Sequence, residues 1–219
     1  MNPIEYVGEY AGEVIESSTS EIIAEARQLD TAPAFGSLVH IEADFSTVGV
    51  VFNISTQSIE PGRKAMAFGM SAQELRMQQP QIFELLRTHF QVHVLGYMEG
   101  ADPVQVLPPQ PAPIHSFVYE CDDELVRKWT ASDEYLRSLL NRPAQRLPAD
   151  DLIIALVRRA LRAHDFDHGA HDFGLRTGKQ LARLLRDDYD RLGSILRRIA
   201  ANRRGSAGGI SNPVSSSLS

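Results

Sequence analysis

The chain is short of the residues that define several common kinds of protein. Its 219 residues contain one cysteine, Cys121, which excludes an intramolecular disulfide framework and an all-cysteine metal knot. No stretch approaches the ~20 consecutive apolar residues of a membrane helix. The start, MNPIEYVGEYAGEV, has neither a basic nor an apolar leader segment. These absences predict a cytoplasmic protein that is neither inserted into a membrane nor processed. Catalytic signatures are missing as well: there is no G-x-S-x-G, no H-E-x-x-H and no dinucleotide-binding glycine pattern.

What is present is a substantial apolar fraction, 43%, enough for the core of one domain or of a domain with an appendage. Charge is unevenly spread. Residues 1–147 hold 20 acidic and 10 basic side chains, whereas residues 148–219 hold 8 and 12, so two functional regions are expected. Arginine supplies 19 of the 22 basic residues. An excess of four cations in the second region falls short of a nucleic-acid footprint, and an Arg-rich helix face is more often solvated or ion-paired. Contact with nucleic acid is therefore expected only indirectly.

Residues 10–17, 21–27, 37–43 and 47–56 are short, rich in Val and Ile and partly alternating, which predicts four strands. SSTS at 17–20 suits a tight hairpin, and DTAPAFGS at 30–37 a wider loop ending at Gly36. Gly12 and Gly49 fall inside strands, where closure of a small barrel needs bends or bulges. A loop and helical insertion, residues 57–89, follows. Ser71 with Glu74 three residues later forms a capping box, and Pro80 sits near the start of a second helical piece. Strands return at 90–99 and 103–107. PPQPAP, 108–113, is stiff and extended, and carries the chain across the barrel to dock residues 114–120 as a final edge segment.

Beyond Cys121 the pattern is helical: 122–131, 132–141, an amphipathic helix over 148–164, and one long amphipathic helix from Gly174 into residues 203–204. The tail, residues 205–219, is low in complexity and predicted to be disordered. The expected fold class is thus α+β: a small closed antiparallel β-barrel over 8–120 with a helical insertion, followed by a helical region over 121–204.

The strings GEVIESSTSEIIAEAR, GSLVHIE and VGVVFNIST, with GRKAMAFGMSAQELRMQQPQIFELLRTHFQVHVLGY and LPPQPAPIHSFVY after them, resemble the HAS-barrel family over residues 8–120. That family is the small N-terminal barrel of HerA-type DNA-translocating ATPases and, in related form, of rotary ATP synthase subunits. The resemblance implies a module that caps a motor ring and contacts other subunits without doing chemistry itself. No motor follows here. A P-loop requires G-x-x-x-x-G-K-[ST], and the nearest string, GLRTGKQ, has its glycines (Gly174, Gly178) one residue too close and Gln180 where the hydroxyl should be.

Other candidates are weaker. Arg63 and Lys64, in GRKAMAFG, could cradle an anion, although a loop that turns at its glycines and packs Met66 and Phe68 beneath it is the preferred reading. AHDFDHGAHDF, 163–173, brings His164, Asp167, His168 and His171 together as metal-ligand candidates. The same letters describe a polar interhelical turn with capping aspartates, and that reading is preferred. Leu181, Leu185, Leu192, Ile195 and Ile199 form a stripe that either closes an intrachain hairpin or pairs with a second chain, with Asp188 interrupting the seam.

The function expected from these features is a non-catalytic protein-binding module. Its partner would be a HerA-type ATPase supplied in trans during DNA processing, with self-association as a further expectation and no cofactor. A metal-dependent hydrolase and a nucleic-acid binder are the alternatives.

Overall fold

A computed structural model describes residues 9–60, 66–141, 147–165 and 169–201; the tail 205–219 lies outside them. The strands are β1 (Gly12–Ser17), β2 (Glu21–Ala26), β3 (Leu38–Ile41), β4 (Ser46–Ser58), β5 (Leu86–Glu99), β6 (Asp102–Val104) and β7 (Phe117–Glu120). Neighbours pair antiparallel in the order β2-β1-β7-β3-β4-β5, and β5 returns to β2, from Glu21 opposite His93 to Glu25 opposite His89. The ring is a closed six-stranded antiparallel barrel. β6 hairpins onto the end of β5 outside it.

Several predicted bounds move, each for a visible reason. Residues 114–120 do not form an edge: β7 pairs with β1 on one side and β3 on the other, so it is the strand that closes the ring. The strand expected over 103–107 stops at Val104, because Gln105 turns to the helices. Its Nε2 donates to the Trp129 carbonyl (2.8 Å) and its Oε1 accepts from the Tyr135 amide (2.9 Å). The insertion is shorter than expected, since β4 runs to Ser58 and β5 starts at Leu86, the two pairing throughout.

The barrel interior is filled by Val14, Ile22, Ala24, Val39, Ile41, Val51, Phe90, Val92, Val94 and Val118, with Ala112 of the proline-rich crossing at its end. Gly12 leaves room for the Phe90 ring, which an added Cβ would approach to 2.7 Å. The irregularity in β1 lies instead between Val14 and Glu16. Gly49 is at a register shift in β4, and a Cβ there would come within 2.4 Å of Val92.

β1 and β2 alternate buried and half-exposed residues, as strands with one wet face do. β3, residues 47–52 of β4 and residues 92–96 of β5 are buried throughout. Their outward side chains, Leu38, Val48, Val50, Phe52 and Leu95, together with Met98 further along β5, belong to a second core shared with the helices. Burying each such side chain contributes roughly 1.5–3 kcal/mol, so the helical region is held to the barrel wall by its own hydrophobic core.

The helices are α1 (Ala72–Gln78), α2 (Gln81–Glu84), α3 (Asp123–Trp129), α4 (Glu134–Leu140), α5 (Ala149–Asp165), α6 (Ala170–Leu184) and α7 (Tyr189–Ala200). α5 is the hub: α3, α4, α6 and α7 all pack on it, and nine of its residues are buried. The long final helix of the sequence reading is two helices. Asp188 is the reason, since its carboxylate accepts from the Arg191 amide (3.2 Å) and caps α7. The break turns α7 back onto α5, where Arg191 pairs with Asp150 (2.7 Å) and Arg198 with Asp151. Part of the arginine richness is thereby spent on intrachain ion pairs.

Candidate protein-interaction surface

β4 is thirteen residues long and its neighbour β3 only four, so the two part company halfway. The amide of Gly36 donates to the Val51 carbonyl (2.8 Å) and the Val51 amide to the Ser37 carbonyl (3.0 Å). Among the described residues these are the last backbone bonds on that side of β4. Beyond them Asn53–Ser58 pairs with β5 alone. β5 leaves β2 at His89 in the same region. The outcome is a two-stranded arm that rises past the barrel rim and carries α1 and α2.

The arm is tied to the barrel through Glu25 of β2, which pairs with Arg87 and His89, and through Asp30. Asp30, in a left-handed conformation at φ 64°, donates its amide to Thr88 Oγ1 (2.9 Å). Thr88 and Thr56 hydroxyls meet at 2.9 Å, and Thr56 Oγ1 donates to Asp30 Oδ1 (3.3 Å). With Thr88 as donor to Thr56, every proton in this chain has an acceptor. Arg76 of α1 lies 3.8 Å from the Asp30 carboxylate and 4.4 Å over the Phe83 ring.

The insertion itself is organised by local contacts. The predicted capping box is present: Ser71 Oγ accepts from the Glu74 amide, and the Glu74 carboxylate accepts from the Ser71 hydroxyl (2.7 Å) and amide (2.8 Å). These bonds hold the Glu74 carboxyl below its ordinary value. Pro80 caps α2. Yet neither helix has a buried residue. Met66 and Met77 are 75% and 72% exposed, and Ile54, Ile59 and Phe68 are exposed with them. Single exposed apolar residues are ordinary; these five share one segment whose helices bury none of their residues.

A second feature is a shallow hollow of about 230 Å³ on the wet face of β1 and β2, lined by Tyr10, Glu13, Ile15, Glu25, Ala26 and Arg27. Its charges are already matched: Glu13 with His115 (2.5 Å), Glu25 with Arg87 (3.2 Å) and His89 (3.5 Å), Arg27 with Glu9 (2.5 Å). It offers no concentrated charge to a ligand.

The residues singled out in the sequence are scattered. Arg63, Lys64, Asp167 and His168 lie outside the described residues. His164 is in the last turn of α5, with its ring stacked on Phe173 (centroids 4.5 Å apart, planes at 9°) and its Nε2 3.0 Å from Thr130 Oγ1. The Thr130 hydroxyl donates to the Val126 carbonyl (2.7 Å), so His164 Nε2 carries the proton and donates to Thr130. That nitrogen is committed to packing. His171 is exposed in the first turn of α6. Gly169 holds the N-cap position of α6 without a side-chain bond, and Asp172 stands in its first turn. Among the described residues no group of three or more His, Cys, Asp or Glu side chains is placed to hold a metal ion.

GLRTGKQ forms part of α6, so its amides are used in the helix and Lys179 is a helical residue. Of the apolar stripe, Leu181, Leu185 and Ile195 are buried in the shared core, and Leu192 and Ile199 are packed against it. The intrachain arrangement accounts for all five.

Sequence reading missed the free edge of β4 and the exposure of Ile54, Ile59 and Met77. The only signal available was the sparse apolar content of α1, which has too few apolar positions to build a buried stripe.

No protein-family model matches the chain, and no curated protein matches it.

Proposed function

We propose that the chain is a non-catalytic protein-binding and assembly module of the HAS-barrel kind, and that its partner is a HerA-type DNA-processing ATPase supplied in trans. The observation that carries this reading is the insertion on the β4–β5 arm, which exposes Ile59, Met66, Phe68 and Met77 and, among the described residues, buries none of its own. Such a surface reaches an apolar groove on another protein and leaves the barrel wall undisturbed. The polar ties at Asp30, Thr56 and Thr88 fix the direction in which it is presented. The paired charges of the β1–β2 face and the packing role of His164 favour binding over chemistry.

The test is purification of the native complex under mild salt, with the wild-type chain and with Phe68→Glu, Met77→Glu side by side. A P-loop ATPase retained by the wild type and lost by the variant is expected. Recovery of no such ATPase overturns the proposal.

A further inference from the structure

We infer that the open edge of β4, residues Asn53 to Gln57, pairs antiparallel with the same edge of a second copy of this chain, joining two barrels through one continuous sheet about a two-fold axis at Ser55. This goes beyond the ATPase reading and does not depend on it.

The edge is open because β3 ends early. Beyond Val51 no described residue makes a backbone hydrogen bond to that side of β4, and Asn53, Ile54, Ser55, Thr56 and Gln57 are all exposed. Along such an edge every second residue aims its amide and carbonyl outward, a template for another strand. Proteins that keep an edge unpaired protect it with lysine, an inward-pointing charge, proline or a β-bulge. Asn53-Ile54-Ser55-Thr56-Gln57 contains no lysine, no charge and no proline, and the register shift of β4 lies before it, between Val51 and Asn53.

A second copy is the occupant that this chemistry fits. A two-fold axis sets each side chain opposite a residue of the same segment, so any charge near the axis would meet its own kind. The segment itself carries no charge, and the Asp30 carboxylate that Thr56 bonds has the Arg76 guanidinium 3.8 Å away. Centred on Ser55, the pairing puts Asn53 opposite Gln57 and Ser55 opposite Ser55 on one face, amide to amide and hydroxyl to hydroxyl. Ile54 stands opposite Thr56 on the other face. This register uses all five exposed residues, and a register centred nearer the barrel would drive the copy into Gly36 and Ser37, which already occupy the edge at Val51.

Net charge points the same way. Residues 51–86 hold three acidic side chains (Glu60, Glu74, Glu84) and three basic ones (Arg63, Lys64, Arg76), a neutral segment in a chain of net charge −6. Two acidic barrels meet with least repulsion arm to arm.

The experiment is sedimentation of the purified full chain at about 100 µM, where micromolar self-association is saturated, for the wild type, Ser55→Lys, Ser55→Glu, and an equimolar mixture of the two variants. The wild type is expected to be dimeric and each variant alone monomeric. The mixture is expected to be dimeric again, as the introduced lysine of one chain faces the introduced glutamate of the other across the axis. Recovery on mixing shows that both variants are folded. Amide exchange at residues 53–57 is expected to slow with rising wild-type concentration. A monomeric wild type at this concentration, or a Ser55→Lys variant that stays dimeric, overturns the inference. Either result leaves the ATPase proposal standing, since that depends on Phe68 and Met77 and is read by co-purification.

Discussion

The imidazole of His40 lies flat on the ring of Tyr119, centroids 5.3 Å apart and planes at 12°, at a directly paired position of β3 and β7. This is the seam where the barrel closes. Burial pushes the His40 pKa down from 6.5 to about 4, against the opposing pull of the Asp122 carboxylate. Between those values the unfolded chain takes up a proton that the folded one refuses, so stability rises with pH there and is lost as pH falls from 6.5 towards 4.

From that gap, His40 alone removes about 2 kcal/mol of stability between pH 7 and pH 5. His40→Phe keeps the stack and loses the ionisable ring. Urea unfolding of both proteins at the two pH values, followed by the fluorescence of Trp129, the one tryptophan and fully buried, is expected to show a shallower pH dependence in the variant by that amount. Equal dependence would place the titration elsewhere.

Gly36 joins the barrel to the hub helix. Its φ is +85°, and an added Cβ would lie 2.4 Å from the Cβ of Ala155. Gly36→Ala is expected to cost about 2–4 kcal/mol, from left-handed strain and overpacking together. Adding Ala155→Gly relieves the overlap but leaves the backbone strain, so the two substitutions are strongly non-additive in a double-mutant cycle of unfolding free energies.

Asp133 ties α4 to α6. Its side chain is 10% exposed, and it accepts from Arg176 Nε (3.1 Å) and Thr177 Oγ1 (3.3 Å), while Arg176 also donates to the Thr130 carbonyl. Asp133→Ala is expected to destabilise by about 2 kcal/mol, the scale of hydrogen bonds to a charged group, and Thr177→Val by less. Thermal unfolding of the pair checks the ranking.

Cys121 is 2% exposed beneath α5, and burial, reinforced by the Asp122 and Glu120 carboxylates, pushes its thiol well above the ordinary value. A thiol reagent at pH 8 is therefore expected to leave the native protein unlabelled and to react with one equivalent in urea. Rapid labelling of the native chain would show that the strand–helix junction opens.

Local patterns carried much of the fold. Strand alternation, the Ser71–Glu74 capping box and the apolar face of α5 were legible because each depends on residues a few positions apart. The candidate surface was not. Asn53–Thr56 reads like any wet strand, and its open edge exists only because β3, far shorter, is its neighbour. The Leu181–Ile199 stripe was readable as apolar, but its destination was hidden, since Asp188 breaks the helix and lets both halves return to α5.

The sequence by itself determined where most strands and helices form, and it made Val48–Phe52 apolar on both faces of its strand. Only the tertiary structure decided what covers those faces and which edge is left open. Periodicity is a property of neighbours along the chain, whereas burial and strand pairing depend on which distant segments meet and how their lengths match.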